Sequence, residues 1–230
     1  MFRPIFSAFV SLLIITLSFP CVAEDNDFDN QDIPQTPFHI VGFGDSLMAG
    51  YRLPSDQSFT AQLEDQLRSK GYDVTITNAG VSGDTTAGGR DRIDWSVPDD
   101  TDLVILELGA NDMLRGINPE LTKQNLAFML DRLRQRHKPV ILIGMLSAAN
   151  YGEKRKQAFD AIFKDLAKDY KVTFYPFFLD GVNGNRKLEL EDAMHPNATG
   201  VSVMVNKFLP TIEGELSRLG VKRSTDEQKP

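Results

Sequence analysis

The stretch HIVGFGDSLMAGY, residues 39–51, decides the fold. It begins as a short apolar run, passes through Gly42 and Gly44, and reaches Asp45 and Ser46. An apolar run that ends in glycine predicts a buried strand followed by a tight turn. Such a turn either holds a phosphate on its backbone N–H groups or presents a nucleophilic serine. The residues after the other strands distinguish these two interpretations.

Short β-rich runs alternate with longer helical patterns along the rest of the chain. This alternation predicts an α/β fold, a parallel sheet with helices on both faces. The predicted strands cover residues 38–43, 73–77, 102–108, 139–146 and 171–177. Each of these runs is suited to burial on both faces of the sheet.

Capping residues and apolar spacing mark the helices. Gly71 is placed as a C-terminal cap, and Asn118 and Pro119 are placed as the N-cap and first residue of a long helix. Pro210, inside the last helical pattern, predicts a kink or a break. The core positions of the four helices are Phe59, Leu63 and Leu67; Leu126, Met129, Leu130 and Leu133; Phe159, Ile162, Phe163 and Leu166; and Val201, Val205, Phe208, Ile212, Leu216 and Leu219.

The first residues have the pattern of a secretory signal. Arg3 precedes an apolar run, and small residues ending at Ala23 follow it, which predicts cleavage after Ala23 and export to the periplasm or the medium. Cys21 is the only cysteine and leaves with this signal. The predicted organisation is a signal peptide at 1–23, an acidic flexible leader at 24–37, one folded domain at 38–220 and a polar, frayed tail at 221–230.

The charge of the chain limits its partners. The 25 Lys and Arg residues are outnumbered by 32 Asp and Glu residues, which gives a net charge of −7. A protein with this charge has no general attraction to nucleic acid or to anionic membranes. We therefore expect no nucleic-acid partner, and no integral membrane association after signal cleavage. Both a monomer and a small homo-oligomer remain open.

Polar residues suited to catalysis follow four of the predicted strands. Ser46 follows the first strand, Gly83 the second, Asn111 the third, and Asp192 and His195 the last. Because the carboxyl ends of parallel strands meet at one edge of a sheet, we expect these residues to lie together. They supply a nucleophile, a base, and N–H donors from Ser46, Gly83 and Asn111 for an oxyanion.

The choice of a base is narrow because the chain has three histidines. His39 lies within the first strand and is interpreted as structural, and His137 is interpreted as the exposed end of a helix. His195 remains. Asp192, three residues upstream, can accept a hydrogen bond from Nδ1 and leave Nε2 facing the hydroxyl of Ser46.

Two other acidic residues and an aromatic cluster have competing interpretations. Asp45 and Asp112 are either structural or alternatives to Asp192 as the orienting carboxylate. The aromatic residues are expected in the core rather than in an acyl pocket. They are Phe174, Tyr175, Phe177 and Phe178.

Four blocks of the sequence resemble those of the SGNH (GDSL) hydrolases. They are GDSL, the glycine of NAGVSGDTTAGG, the asparagine of GAND, and the aspartate and histidine of DAMH, between about Ile40 and the final helix. The segments NDMLRG, ANYG and FYPFF resemble the periplasmic multifunctional thioesterase, lysophospholipase and arylesterase branch. The blocks depart from some members at Ala110, where those members have a second glycine.

This resemblance implies a flavodoxin-like three-layer αβα sandwich with a five-stranded parallel sheet in the order 2-1-3-4-5. It also implies hydrolysis of small-molecule acyl esters and thioesters through an acyl-serine, without a metal or cofactor. Ser46 would be the nucleophile, with Asp192 and His195 completing the triad. Ser46, Gly83 and Asn111 would form the oxyanion hole.

Three other functions compete with this one. GFGDSL imitates the start of a dinucleotide-binding turn, but Leu47 stands where the third glycine of G-x-G-x-x-G is needed for close helix packing. A carbohydrate acetyl esterase would use the same residues on another substrate. A secreted binding domain without catalysis would keep only the fold.

Overall fold

The computed structural model describes residues 36–148 and 151–224, and its centre is a five-stranded parallel sheet. The predicted signal peptide and residues 24–35 of the predicted leader lie outside the described residues. The strands are β1 (Phe38–Gly44), β2 (Val74–Gly80), β3 (Leu103–Glu107), β4 (Val140–Ile143) and β5 (Thr173–Tyr175). Their order is β2-β1-β3-β4-β5, which confirms the predicted order.

Helices pack on the sheet in layers. They are α1 (Ser46–Ala49), α2 (Phe59–Ser69), α3 (Thr86–Ser96), α4 (Ala110–Leu114), α5 (Pro119–Gln135), α6 (Glu153–Tyr170) and α7 (Ala198–Arg218). Helix α2 packs against α7, and α5 packs against both α3 and α6. Across the described part of the chain, no helix has the length and apolarity needed to cross a membrane.

The apolar pattern places the core where the sequence predicts it. Strands β3 and β4 are buried along their whole length, whereas β2 is partly exposed because it forms an edge of the sheet. The predicted helix signals are confirmed. The Asn118 side chain accepts a hydrogen bond from the Glu120 N–H at 3.1 Å, Pro119 opens α5, and Gly71 follows α2 with a φ of +89°.

The structure corrects two predictions about helices. Helix α7 continues through Pro210, so the predicted break is wrong. Proline removes only one N–H from the helix, and the buried residues Phe208 and Ile212 hold both sides of it against the core. Helix α3 (Thr86–Ser96) is absent from the four helices that the sequence predicts. Its Gly89 allows close packing, because a Cβ there would lie 2.2 Å from the Leu108 side chain.

The start of the predicted tail is attached to the domain. The Ser224 N–H donates to the Gly71 carbonyl at 2.9 Å, and Arg223 forms a bridge with Tyr72. These contacts join residues 223 and 224 to the end of α2, and residues 225–230 lie outside the described part of the chain.

Candidate active site

Ser46 is the first residue of α1 and follows directly after β1, so it lies at the carboxyl edge of the sheet. The Asp45 side chain caps the helix by accepting the Leu47 N–H at 3.0 Å. Helix α1 comes very close to β2, because a Cβ on Gly80 would lie 2.3 Å from the Ala49 nitrogen. This close approach fixes the position of the serine turn.

The imidazole of His195 lies between Ser46 and Asp192. Its Nε2 is 2.8 Å from the Ser46 Oγ, and its Nδ1 is 2.8 Å from the Asp192 Oδ2. The other carboxylate oxygen, Oδ1, accepts the N–H groups of Met194 and His195, each at 3.0 Å. A continuous hydrogen-bonded chain therefore joins the hydroxyl, the imidazole and the carboxylate.

The hydrogen bonds around Asp192 stabilise its charged form. Partial burial acts to raise the pKa of Asp192. The N–H groups of His195 and Met194, together with the imidazole, outweigh this effect and lower the pKa to about 2. Asp192 is therefore ionised throughout the neutral range, where it favours the imidazole tautomer that carries its proton on Nδ1.

Tyr51 packs against the same imidazole. The ring centroids of Tyr51 and His195 are 4.5 Å apart with an angle of 38° between the planes, and the Arg52 guanidinium lies 5.1 Å from the Tyr51 centroid. Sequence analysis missed Tyr51, because neither its spacing nor its type separates it from the other tyrosines.

Gly83 and Asn111 lie on the same cavity as Ser46 and His195. Gly83 occupies a turn that is closed by a 3.0 Å hydrogen bond from the Asp84 N–H to the Val81 carbonyl. Its φ of +80° favours glycine, as in the third position of a type II turn. The structure thus brings all five predicted site residues to one edge of the sheet.

Two charged side chains contact these potential donors. The Asn111 Nδ2 donates to the Asp45 Oδ2 at 3.0 Å. The Arg115 guanidinium donates to the Gly83 carbonyl at 2.6 Å. Sequence analysis did not predict either contact.

The alternative acids have other partners. The Asp45 carboxylate accepts hydrogen bonds from the Leu47 N–H and the Asn111 amide, as described above. Asp112 accepts the Thr86 N–H at 2.8 Å and the Thr122 hydroxyl at 3.2 Å, and so joins α4 to α3 and α5. Asp192 is the one of these three acids that is hydrogen-bonded to His195.

A second buried acid, which sequence analysis missed, lies below the serine turn. Glu107 ends β3, and its Oε2 accepts the Asp45 N–H at 3.2 Å. Its Oε1 is buried without a hydrogen-bond partner among the described residues. Burial, followed by the charge of Asp45, raises the pKa of Glu107 well above its ordinary value. Burial likewise raises the pKa of Asp45, to about 6.

The other two histidines do not line the cavity. The His39 Nε2 is 2.8 Å from the Thr77 hydroxyl, so its interpretation as a hydrogen-bonded structural residue agrees with the structure. His137 is exposed and follows α5, as expected.

The cavity beside Ser46 has a volume of about 560 Å³ and mainly apolar walls. Its apolar side chains include Leu47, Met113, Leu114, Met145, Leu146, Phe177, Leu179 and Met194. The expectation that the aromatic cluster lies in the core is right for Tyr175 and Phe178, which are buried. It is wrong for Phe177, which lines this cavity.

Residues 43–203 match the GDSL-like lipase/acylhydrolase family. The chain belongs to this family. An arylesterase from Vibrio mimicus is 38% identical over 158 residues, which are 68% of this chain and 79% of the relative. Thioesterase 1/protease 1/lysophospholipase L1 of Escherichia coli K12 is 33% identical over 187 residues, 81% of this chain and 82% of the relative.

A solved structure supports the same assignment. The crystal structure of AlinE4, an SGNH-hydrolase family esterase, matches with a TM-score of 0.66 and 43% identity. The match covers 78% of this chain and 97% of AlinE4. This member of the GDSL-like family is therefore a serine hydrolase that acts on ester bonds.

Proposed function

We propose that Ser46 is the nucleophile, His195 the general base and Asp192 the orienting carboxylate in the hydrolysis of carboxylic esters and thioesters. The hydrogen-bonded chain through the imidazole carries this proposal, since each link is 2.8 Å long. Distances of this length allow proton transfer between the hydroxyl and the imidazole. The carboxylate keeps Nε2 free to accept that proton.

The reaction has two halves. In the first, the Ser46 oxygen attacks the acyl carbon while His195 takes the hydroxyl proton; the alcohol or thiol then leaves with that proton. In the second, water attacks the acyl-serine and gives a proton to His195, which returns it to the Ser46 oxygen. The products are a carboxylic acid and the free alcohol or thiol.

Three donors stabilise the negative oxygen of each tetrahedral intermediate in this proposal. They are the backbone N–H groups of Ser46 and Gly83 and the amide of Asn111. The Ser46 N–H belongs to the first turn of a helix, where intrahelical partners are lacking. Asn111 has two N–H bonds, so its contact with Asp45 leaves one for the oxyanion.

The substrates in this proposal are small or lipid-like acyl esters and thioesters. The apolar cavity walls beside Ser46 support an acyl group rather than a sugar, since burial of CH₂ groups is favourable by about 0.8 kcal/mol each. The names of the relatives, an arylesterase and a thioesterase 1/protease 1/lysophospholipase L1, support both oxygen and sulfur leaving groups.

A panel of 4-nitrophenyl esters and acyl thioesters of graded chain length tests this function. We expect kcat/KM to rise with acyl length until the cavity is filled. Ser46→Ala is the background control, because it keeps the cavity and removes the nucleophile. An acetylated sugar in the same panel tests the carbohydrate alternative; faster cleavage of that sugar than of every acyl ester would overturn the acyl-ester assignment. Hydrolysis by the Ser46→Ala variant at the wild-type rate would overturn the role of Ser46.

We also propose that the protein is exported and cleaved after Ala23. The apolar run behind Arg3 and the small residues at the predicted cleavage site support this proposal. Mass spectrometry of the protein from separated cell fractions should find a chain that begins at Glu24 outside the cytoplasm, in a fraction free of membranes. An intact N-terminus confined to the cytoplasm would contradict export.

A further inference from the structure

We propose that Asp45 and Arg115 are positioning residues that hold the Asn111 and Gly83 donors of the oxyanion hole in place. This inference rests on the proposed function, because it assigns a task to residues around the proposed hole. Neither residue is required to touch the substrate. Each acts through one donor, and the two carry opposite charges.

The first half of the inference concerns the Asn111 amide. Asp45 is fully buried, and both of its carboxylate oxygens have directed partners. The Oδ1 accepts the Leu47 N–H at 3.0 Å, and the Oδ2 accepts the Asn111 Nδ2 at 3.0 Å. Rotation of the amide by 180° would bring its oxygen against the carboxylate oxygen, which is repulsive in a buried site. Asp45 therefore keeps the NH₂ end of Asn111 directed at the serine turn.

The second half concerns the peptide at Gly83. The Gly83 N–H and the Gly83 carbonyl belong to successive peptide groups, which are joined at a glycine with positive φ and wide conformational freedom. The Asp84 N–H bond to the Val81 carbonyl holds the second peptide group from one side. Arg115 holds the same group from the other side through the 2.6 Å hydrogen bond to the Gly83 carbonyl, and so limits the directions that the Gly83 N–H can take. A Cβ on Gly83 would lie 3.6 Å from the Arg115 guanidinium, at van der Waals distance, so the guanidinium lies beside the turn.

Helix α4 links the two restraints. Asn111 lies in its first turn, and Arg115 is its C-cap, whose N–H donates to the Asn111 carbonyl at 3.0 Å. One short helix thus carries one donor and the side chain that holds the other donor. Donors fixed before substrate binds stabilise the transition state without reorganisation, which is the main source of oxyanion-hole catalysis.

A double-mutant cycle tests the Asp45 half, with 4-nitrophenyl butyrate as the probe. Asp45→Asn can still cap Leu47, but it presents an NH₂ group to Asn111 and favours the wrong amide orientation. We expect kcat to fall by about 10²-fold with little change in KM. In the Asn111→Ala background the same change should cost less than about threefold. An equal loss in both backgrounds would show that Asp45 does not act through Asn111.

A parallel series tests the Arg115 half. Arg115→Met should lower kcat by about tenfold, and Arg115→Lys should recover most of it because an ammonium can also donate to the Gly83 carbonyl. The Arg115→Met loss should persist in the Asn111→Ala background, since it acts through the other donor. Arg90→Met, on an arginine that stacks on Phe128 outside the cavity lining, is the matched control and should keep wild-type kcat. A Lys variant no better than the Met variant would overturn this half.

Thermal unfolding of every variant separates positioning from folding. If Asp45→Asn does not fold, Asp45→Ser replaces it, because a serine hydroxyl can cap α1 without reaching Asn111. Should Asn111→Ala itself keep wild-type activity, the proposed oxyanion hole fails, and this inference fails with it. Should Asn111→Ala lose activity while both series give the overturning results, only the inference fails.

Discussion

Each end of β1 is close to a histidine that has a hydroxyl and a carboxylate as neighbours. At the amino end, the His39 Nε2 is 2.8 Å from the Thr77 hydroxyl, and its Nδ1 is 3.6 Å from the Asp100 carboxylate. At the carboxyl end, the His195 Nε2 is 2.8 Å from the Ser46 hydroxyl. The order of functional groups is the same, so this order alone does not make a catalytic site.

The two clusters differ in what surrounds them. The Asp100 side chain is 79% exposed, whereas Asp192 is held by two backbone N–H groups and contacts its histidine at 2.8 Å. The serine cluster also lies on a cavity that Gly83 and Asn111 line. A fixed carboxylate, a place for an acyl group and nearby donors are therefore the features that separate the proposed site from its counterpart.

The largest expected effect comes from removing each hydroxyl. Ser46→Ala should lower kcat by about 10⁴-fold or more, because the proposed nucleophile is lost, and Thr77→Ala should leave kcat unchanged. A fluorophosphonate probe with peptide mass spectrometry should label Ser46 alone. Label on Thr77, or a large loss of activity in Thr77→Ala, would make the amino-end cluster a second reactive site.

A smaller effect is expected from neutralising each carboxylate. Asp192→Asn should lower kcat by about 10³-fold, since the amide favours the wrong imidazole tautomer, whereas Asp100→Asn should have no effect. The pKa of Asp192, about 2, keeps it ionised above that pH. The stability that its charge contributes should be present above pH 3.8 and be lost as the pH falls towards 2. Steady-state kinetics at pH 8 measure the loss of kcat. Equal rates for Asp192→Asn and Asp100→Asn would contradict the proposed difference between the two clusters.

The smallest expected effect concerns the buried acids below the serine turn. The raised pKa of Glu107 means that the folded state keeps a proton that the unfolded state releases as the pH rises above 4.5. The free energy of unfolding should therefore fall with rising pH in this range, and Glu107→Gln should flatten the slope. Thermal unfolding from pH 5 to pH 8 measures this pH dependence of stability. The exposed acid of the other cluster gives the control, because Asp100→Asn should leave the slope unchanged.

The sequence predicts a parallel sheet and the meeting of five residues at its edge, because both follow from the alternation of apolar strands with polar loops. Ser46, Gly83 and Asn111 stand just after β1, β2 and β3, and Asp192 and His195 lie in the loop between β5 and α7. A parallel sheet brings such loops to one edge whatever the details of packing. The resemblance to the SGNH hydrolases supplied the strand order. Strand ends were less predictable: residues 139–146 shorten to Val140–Ile143, and residues 171–177 shorten to Thr173–Tyr175.

The remaining features depend on contacts between distant segments. In the sequence Glu107 is an ordinary strand residue, and only the folded structure shows that it lies beside Asp45. Arg115 and Tyr51 belong to short local segments whose partners, Gly83 and His195, lie far away in the sequence. Helix α3 was missed because glycine disfavours helices in isolation, whereas here it allows a close approach to the sheet.

The loop that carries Asp192 and His195 closes on itself. The Leu190 N–H donates to the His195 carbonyl at 2.7 Å, and the Asn197 N–H donates to the Leu188 carbonyl at 2.9 Å. Contacts within the loop therefore set the geometry of the Asp192–His195 pair, without contacts to the sheet. The distance between this pair and Ser46, in contrast, depends on how the loop packs against α1. Heat or denaturant that loosens this packing should therefore abolish activity before the domain unfolds.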